Sequence, residues 1–273
     1  MQNRPLAGKT VLVTGGARRI GRAIALTLAE AGADVALTYR DSQAEAAQTA
    51  VEIAALGGKA FALECDVRSE ASVREAIVRV IGRLGRLDVL VNNAAVFATA
   101  PLESLTLEQW DEVFATNTRG PFLAAREALP HLRTARGRIV NIGSLGGLQA
   151  WPTHAHYCAS KAALHSLTRS MARAFAPEVS VNCVAPGRIE IEEGREDNSP
   201  ALDPSTAAAV VAPPFPASSA GRVGSESARI AAKTPMRRNG SAEDVAQAVL
   251  FFAAGPHFIT GQILAVDGGL GLM

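Results

Sequence analysis

A chain of 273 residues, 48% hydrophobic and 19% charged, has the composition of a soluble globular protein with a full core. The net charge of +1, with Lys and Arg spread along the chain, gives no basis for nucleic-acid binding or for attraction to an anionic membrane. No apolar run reaches transmembrane length, residues 1–5 lack a signal-peptide core, and Cys65, Cys158 and Cys183 form neither a metal spacing nor a disulfide framework, so a reducing cytoplasm and no metal site are expected.

Residues 9–14 are a short apolar run that stops at Gly15-Gly16 and predicts the first strand. A helical pattern follows from Ile20 to Ala31 and ends at Gly32, and residues 34–39 read as the second strand. Ser42 is placed to cap an Ala-rich helix ending at Gly57-Gly58. Strand 59–65, a helix from about 69 to 84, strand 88–91 and a single helix from about 106 to 132 come next. Strand 138–142, a helix within the Gly- and Pro-free stretch 153–176, and strand 179–184 continue the alternation. Strands and helices alternating at this spacing predict βαβ units, hence an α/β fold with a doubly wound, mostly parallel sheet. Ligands bind such sheets beyond the strand carboxyl ends, where Gly15, Asp66, Asn92, Ser144 and Pro186-Gly187 fall. An insertion at about 188–234 interrupts the rhythm; its residues 190–233 are rich in Pro, Ser, Ala and Glu without clear period, and read as a lid, a binding loop or a disordered insertion. The pattern resumes with a capping box at Ser241 and Asp244 before helix 245–254, and a last strand at 262–266.

The loop from Thr14 to Gly21 joins the first strand to the first helix. A glycine-rich turn in that place presents backbone N–H groups and a helix N-terminus to a phosphate; a turn that merely reverses the chain is the alternative. The second strand closes on Thr38-Tyr39-Arg40, without the acidic residue that favours NAD. Arg18 and Arg40 are suited to a ribose 2′-phosphate, so NADP(H) is expected in preference to NAD(H), with Asp41 read as solvated.

Two tyrosines and four lysines occur in the chain, and one of each, Tyr157 and Lys161, lie one helical turn apart on a shared face. A lysine cation ~5 Å from a phenol, at an effective dielectric of ~20, contributes roughly 3 kcal/mol, a little over two pKa units. That moves the phenol towards the range of general acid–base catalysis. A packed tyrosine beside an exposed lysine is the reading the pair alone leaves equally open.

With these stretches in place the chain resembles the short-chain dehydrogenase/reductase family of the single-domain kind, from Leu6 to Gly187 and again from Pro235 to Gly269. The resemblance rests on the 14–21 loop, Cys65-Asp66-Val67, Asn92-Asn93-Ala94-Ala95, Asn117, Ser144, Tyr157 with Lys161, Pro186-Gly187, Thr260-Gly261-Gln262 and Val266-Asp267-Gly268-Gly269. It implies a Rossmann-like, single-domain NAD(P)-dependent oxidoreductase spanning 1–273, and a homo-oligomer, tetramer or dimer. Its catalytic set would be Asn117, Ser144, Tyr157 and Lys161. Tyr157 would protonate the carbonyl oxygen, Lys161 hold the nicotinamide ribose and lower the Tyr157 pKa, Ser144 hold the substrate oxygen, and Asn117 support a water relay to Lys161. The cofactor would be held by Gly15, Arg18, Arg19, Ile20 and Gly21, by Arg40 and Ser42, by Asp66 and Val67, by Asn93 and Ala94, by Tyr157 and Lys161, and by Pro186, Gly187 and Ile189. Asp66 would meet the adenine and Asn92 line the channel.

Departures from the family pattern bear on function. Arg19 stands where the family's middle glycine lets the backbone approach the pyrophosphate, a substitution shared with pteridine reductases. Ser144, where those enzymes usually carry an acidic residue, instead resembles 3-oxoacyl-carrier-protein reductases and general ketone reductases. Ala95 replaces a more usual glycine, a mild change, and residues 188–190 lack the threonine often found after Pro-Gly. The expected function is therefore an NADPH-dependent reductase of a small-molecule ketone, 3-oxoacyl thioesters among the candidates. A pteridine reductase comes second and a catalytically idle NADP-binding protein third. Val96-Phe97, residues 145–154 and the lid are expected to form the substrate pocket, with Trp151 and His154 either lining it or serving a subunit contact.

Overall fold

Val11 and Val13 of β1 (Thr10–Val13) point to one face of the sheet and Leu12 to the other, and all three are buried. Strands covered on both faces read as unbroken apolar runs, which is why four residues suffice to signal one. A computed structural model describes residues 4–190 and 223–272. After β1 come α1 (Arg19–Glu30), β2 (Asp34–Tyr39), α2 (Gln43–Ala55), β3 (Ala60–Glu64), α3 (Glu70–Leu84) and β4 (Val89–Asn92). The second half holds α4 (Leu107–Phe114), α5 (Gly120–Ala135), β5 (Arg138–Ile142), α6 (Ala155–Phe175), β6 (Ser180–Pro186), α7 (Val223–Lys233), α8 (Ala242–Ala254) and β7 (Ile263–Val266). The strands pair in the order β3-β2-β1-β4-β5-β6-β7, every pair parallel, so the Rossmann-like doubly wound α/β sheet is as expected.

One face of the sheet packs Ile24 and Leu28 of α1 with Val245, Val249 and Phe252 of α8. The other packs Leu90 and Ile139 with Ile77 of α3, Leu132 of α5 and Met171 of α6. Each fully buried Leu or Ile contributes about 1.5–3 kcal/mol. The strand order reverses between β1 and β4, and the crevice beyond that point collects the loops after β1, β4 and β5.

Three expectations need correction. The single helix expected over 106–132 is two helices joined by a π-helical turn, Ala115–Arg119. Pro121 has no N–H to offer the carbonyl four residues back, that of Asn117, and the Gly120 N–H reaches the Ala115 carbonyl five residues back. Ser42 occupies the N-cap of α2 but makes no side-chain capping bond. The insertion holds a helix, α7, at its end; residues 191–222, its larger part, lie outside the described residues. The Ser241–Asp244 capping box forms as expected, and a second, Thr106 with Gln109, opens α4. No helix among the described residues is long and apolar enough to cross a membrane.

Candidate active site

Gly15 adopts a left-handed φ of +62°, which glycine reaches without strain. A Cβ on Gly21 would collide with the Gly15 carbonyl oxygen, so helix and loop meet there without room for any side chain. Arg19, in the place of the family's middle glycine, also has a positive φ of +53°, a conformation that costs a non-glycine residue about 1–2 kcal/mol. No side chain caps the first turn of α1 and no acidic residue lies in it. An open helix N-terminus flanked by Arg18 and Arg19 fits an anionic diphosphate.

The loop is braced from the neighbouring strands. Thr38 Oγ1 accepts from the Gly15 N–H at 3.2 Å, and Asn93 Nδ2 donates to the Thr14 and Gly15 carbonyls at 3.0 and 2.9 Å. Thr14 Oγ1 in turn accepts from the Asn93 and Ala94 N–H groups. Asn93 therefore holds the loop's shape with its amide. Asn92, expected along the channel, turns into the sheet instead, donating to Asn141 Oδ1 at 2.8 Å, because a buried amide must find a partner. The bracing roles of Thr14 and Thr38 are not legible in the sequence, because a threonine closing a strand carries no distinctive signal.

Arg40 pairs through Nε with Asp41 at 2.6 Å, so Asp41, expected to be solvated, is exposed yet bound. Asp66 is gripped by Arg68 through Nε and Nη2, at 2.9 and 2.7 Å, and accepts from the Arg68 N–H at 2.9 Å. These bonds hold its carboxyl below the usual range. Val67 packs against Gly120 at the start of α5. On the far side Gly187 lies against Asp267, and Ile189 bridges in parallel to Gly240.

Of the four residues expected to share a site, Ser144, Tyr157 and Lys161 are brought together beyond β5, and Asn117 reaches their helix through Ser160. Ser144 Oγ accepts from the Gly146 N–H at 3.0 Å, and its hydroxyl stands beside the Tyr157 phenol. Burial raises the Tyr157 pKa, partly offset by Ser144. Lys161 is 2% exposed and donates from Nζ to the Ile142 carbonyl at 2.8 Å. Its ammonium lies 5.8 Å from the centre of the Tyr157 ring, and burial pushes its pKa down to about 8. The phenol is shifted upward overall and not downward as expected, because its desolvation dominates, while Lys161 donates to a carbonyl. Asn117, in the π-turn, is fully buried; its Oδ1 accepts from the Val96 N–H at 2.8 Å and its Nδ2 donates to the Val96 carbonyl and Ser160 Oγ at 2.9 and 3.1 Å. It clamps the loop after β4 to α6.

Beside Tyr157 stand Phe97, Trp151 and His154, in mutual ring contact. A groove of about 870 Å³ on the outer face of α4 and the π-turn, lined by Phe114, Phe122 and Leu167 among others, contains none of the expected site residues.

Comparison with known proteins agrees with this architecture. A family model described as short chain dehydrogenase matches residues 9–201, and one described as Enoyl-(Acyl carrier protein) reductase matches residues 206–271. A 3-oxoacyl-acyl-carrier-protein reductase of Staphylococcus aureus is 36% identical over 265 residues, 96% of this chain and 98% of that one. A hydroxynaphthalene reductase of Aspergillus fumigatus is 35% identical over 254 residues, 92% of this chain and 87% of that one. The solved structure of a blue fluorescent protein from a metagenomic library in complex with NADPH is 35% identical, with a TM-score of 0.82 over 98% of this chain and 99% of that one. The chain thus belongs to the short-chain dehydrogenase/reductase family, whose members are NAD(P)-dependent oxidoreductases acting on CH–OH and C=O groups.

Proposed function

We propose that the chain reduces ketones with NADPH, using Ser144, Tyr157, Lys161 and Asn117. The observation that carries this reading is the meeting of two hydroxyl donors, Ser144 and Tyr157, beside a buried lysine. A nicotinamide cofactor held at the 14–21 loop would supply the hydride for the carbonyl carbon. Charge then builds on the carbonyl oxygen, where Ser144 Oγ donates a hydrogen bond and the Tyr157 phenol donates its proton. A phenol whose pKa is raised by burial stays protonated at neutral pH, as an acid must. Lys161, positively charged below about pH 8, offsets the tyrosinate that forms. Asn117 keeps the Val96 loop and α6 in register around this pair.

Arg18, Arg19 and the end of α1 are assigned to the diphosphate and Arg40 to a 2′-phosphate, which favours NADPH, the cofactor bound by the metagenomic relative. The 3-oxoacyl thioester reduced by the Staphylococcus relative, as its name states, is one candidate substrate. The assembly is assigned to a homodimer or homotetramer. A reducing cytoplasm suits three buried, unpaired cysteines. Pteridine reduction is the second reading, favoured by Arg19 in its left-handed conformation.

The test follows NADPH absorbance with an acetoacetyl thioester, a cyclic ketone and dihydrobiopterin in parallel. Turnover of either ketone and none of the pterin is the expected result. Turnover of the pterin alone selects the second reading, and tight NADPH binding without turnover of any of the three selects an idle protein.

A further inference from the structure

The expected proton donor and the three rings beside it form two nearly parallel pairs set at right angles. Trp151 and Tyr157 are nearly parallel, 14° apart with centroids 6.4 Å apart. Phe97 and His154 form the second pair, 29° apart with centroids 4.8 Å apart. Across the corner Phe97 meets Tyr157 at 83° and Trp151 meets His154 at 85°. Phe97 is 58% exposed, an unusual outlay of aromatic surface next to a buried phenol.

The corner is held rigidly. His154 meets the Thr99 hydroxyl through Nε2 and the Thr153 hydroxyl through Nδ1, each at 3.0 Å, which fixes the plane of its ring. The Ala100 N–H donates to the Thr153 carbonyl at 2.9 Å, tying the loop after β4 to the loop before α6. The His154 N–H donates to the Trp151 carbonyl at 3.0 Å, which sets the two residues' relative position.

We propose that the site is built for a flat cyclic ketone, conjugated or fused to an aromatic ring, in preference to an open-chain 3-oxoacyl thioester. This rests on the ketone-reductase reading above. Aromatic rings prefer offset stacking or edge-to-face contact, and a flat ring seated in a right-angled corner makes one of each at once. The ring's carbonyl edge then faces Tyr157 and Ser144. An acyl chain gains only area there and must freeze its torsions to gain it, whereas a rigid ring has none to freeze.

The test compares 2-tetralone with the N-acetylcysteamine thioester of acetoacetate, with NADPH, in the wild-type protein and in Phe97→Leu and Trp151→Leu. Wild type is expected to favour tetralone in kcat/KM by about tenfold or more, and each variant to lower that ratio by about tenfold. Phe97 lies largely at the surface, so its replacement opens no cavity in the core. Calorimetric titration of 2-naphthol, flat and product-like, into protein saturated with NADP⁺ gives a readout independent of turnover; binding is expected in wild type and a several-fold loss in both variants. A wild-type ratio at or below one, or a ratio and a naphthol affinity unmoved in both variants, overturns the flat-ring proposal while leaving ketone reduction standing. Reduction of neither ketone overturns the reductase reading and this proposal with it.

Discussion

Lys161 donates a hydrogen bond from Nζ to the carbonyl oxygen of Ile142, 2.8 Å away, at the last residue of β5. The charge is thereby stored in the core one residue pair from Ser144, with burial lowering the lysine to about 8. A fully buried charge with one carbonyl partner is costly to the fold. Lys161→Met is therefore expected to abolish reduction yet to raise unfolding stability by about 1–2 kcal/mol, the relief of the charge exceeding the loss of one hydrogen bond. Chemical denaturation of the two proteins checks it; a less stable variant refutes the account of this lysine.

The same group sets an alkaline limb. Lys161 is protonated below about pH 8 and loses its charge above it. Reduction should fall as pH rises through that value, because the tyrosinate formed in the step loses its counter-charge. Lys161→Arg, cationic throughout, should move the limb upward even where its rate is low. Rates of kcat/KM across pH 6–10 read both outcomes.

Tyr157→Phe removes the proposed proton donor while keeping the ring in contact with Phe97 and Trp151. Turnover should fall by about 10²–10⁴-fold, with NADPH affinity, read by fluorescence titration, nearly unchanged. Retained turnover would remove Tyr157 from the mechanism.

Arg40 is tied to Asp41 through Nε alone, which leaves its two terminal nitrogens for an anion. Arg40→Ala should weaken NADPH by about tenfold or more, the scale of one charge-assisted hydrogen bond. NADH, which has no 2′-phosphate, should be weakened far less. Equal losses for the two cofactors would mean that this arginine faces something else.

His165 lies one turn beyond Lys161, buried against the backbone of Gly143 and Gly147. Burial, with Lys161 and Arg169 nearby, pushes its pKa from 6.5 down to about 4. The unfolded chain then takes up a proton that the folded chain refuses as pH falls through 6.5. Stability is full above that value and is lost towards pH 4, by up to about 3 kcal/mol. His156, also buried and lowered, adds to the same window. His165→Leu should flatten the slope between pH 6.5 and 4 in thermal melts; an unchanged slope assigns it to other groups.

The sheet was legible because its strands are buried on both faces, and the tight turn at 14–21 because Gly15 and Gly21 answer to local geometry. What escaped depends on partners distant in sequence. The spacing of Tyr157 and Lys161 fixes a common helix face but not which acceptor the lysine takes, and Ile142 lies 19 residues away. Asn92 was assigned to the channel, although Asn141, 49 residues on, draws its amide into the sheet. The break between α4 and α5 left a trace in Pro121, but a proline near a helix start is common, and Asn117's clamp on Val96 and Ser160 fixes the register. The right-angled disposition of Phe97, Trp151 and His154 has no counterpart in a linear pattern at all.

The π-turn at Ala115–Arg119 amounts to one residue more than a continuous helix needs. Deleting a single residue before Asn117 would restore an even helical count and swing the asparagine by about 100° around the axis, off Val96 and Ser160. Chain length here is therefore as constrained as residue identity. In a library of one-residue deletions, this stretch on the protein's flank should tolerate loss as poorly as a buried strand, while exchanges of its outward side chains pass unnoticed.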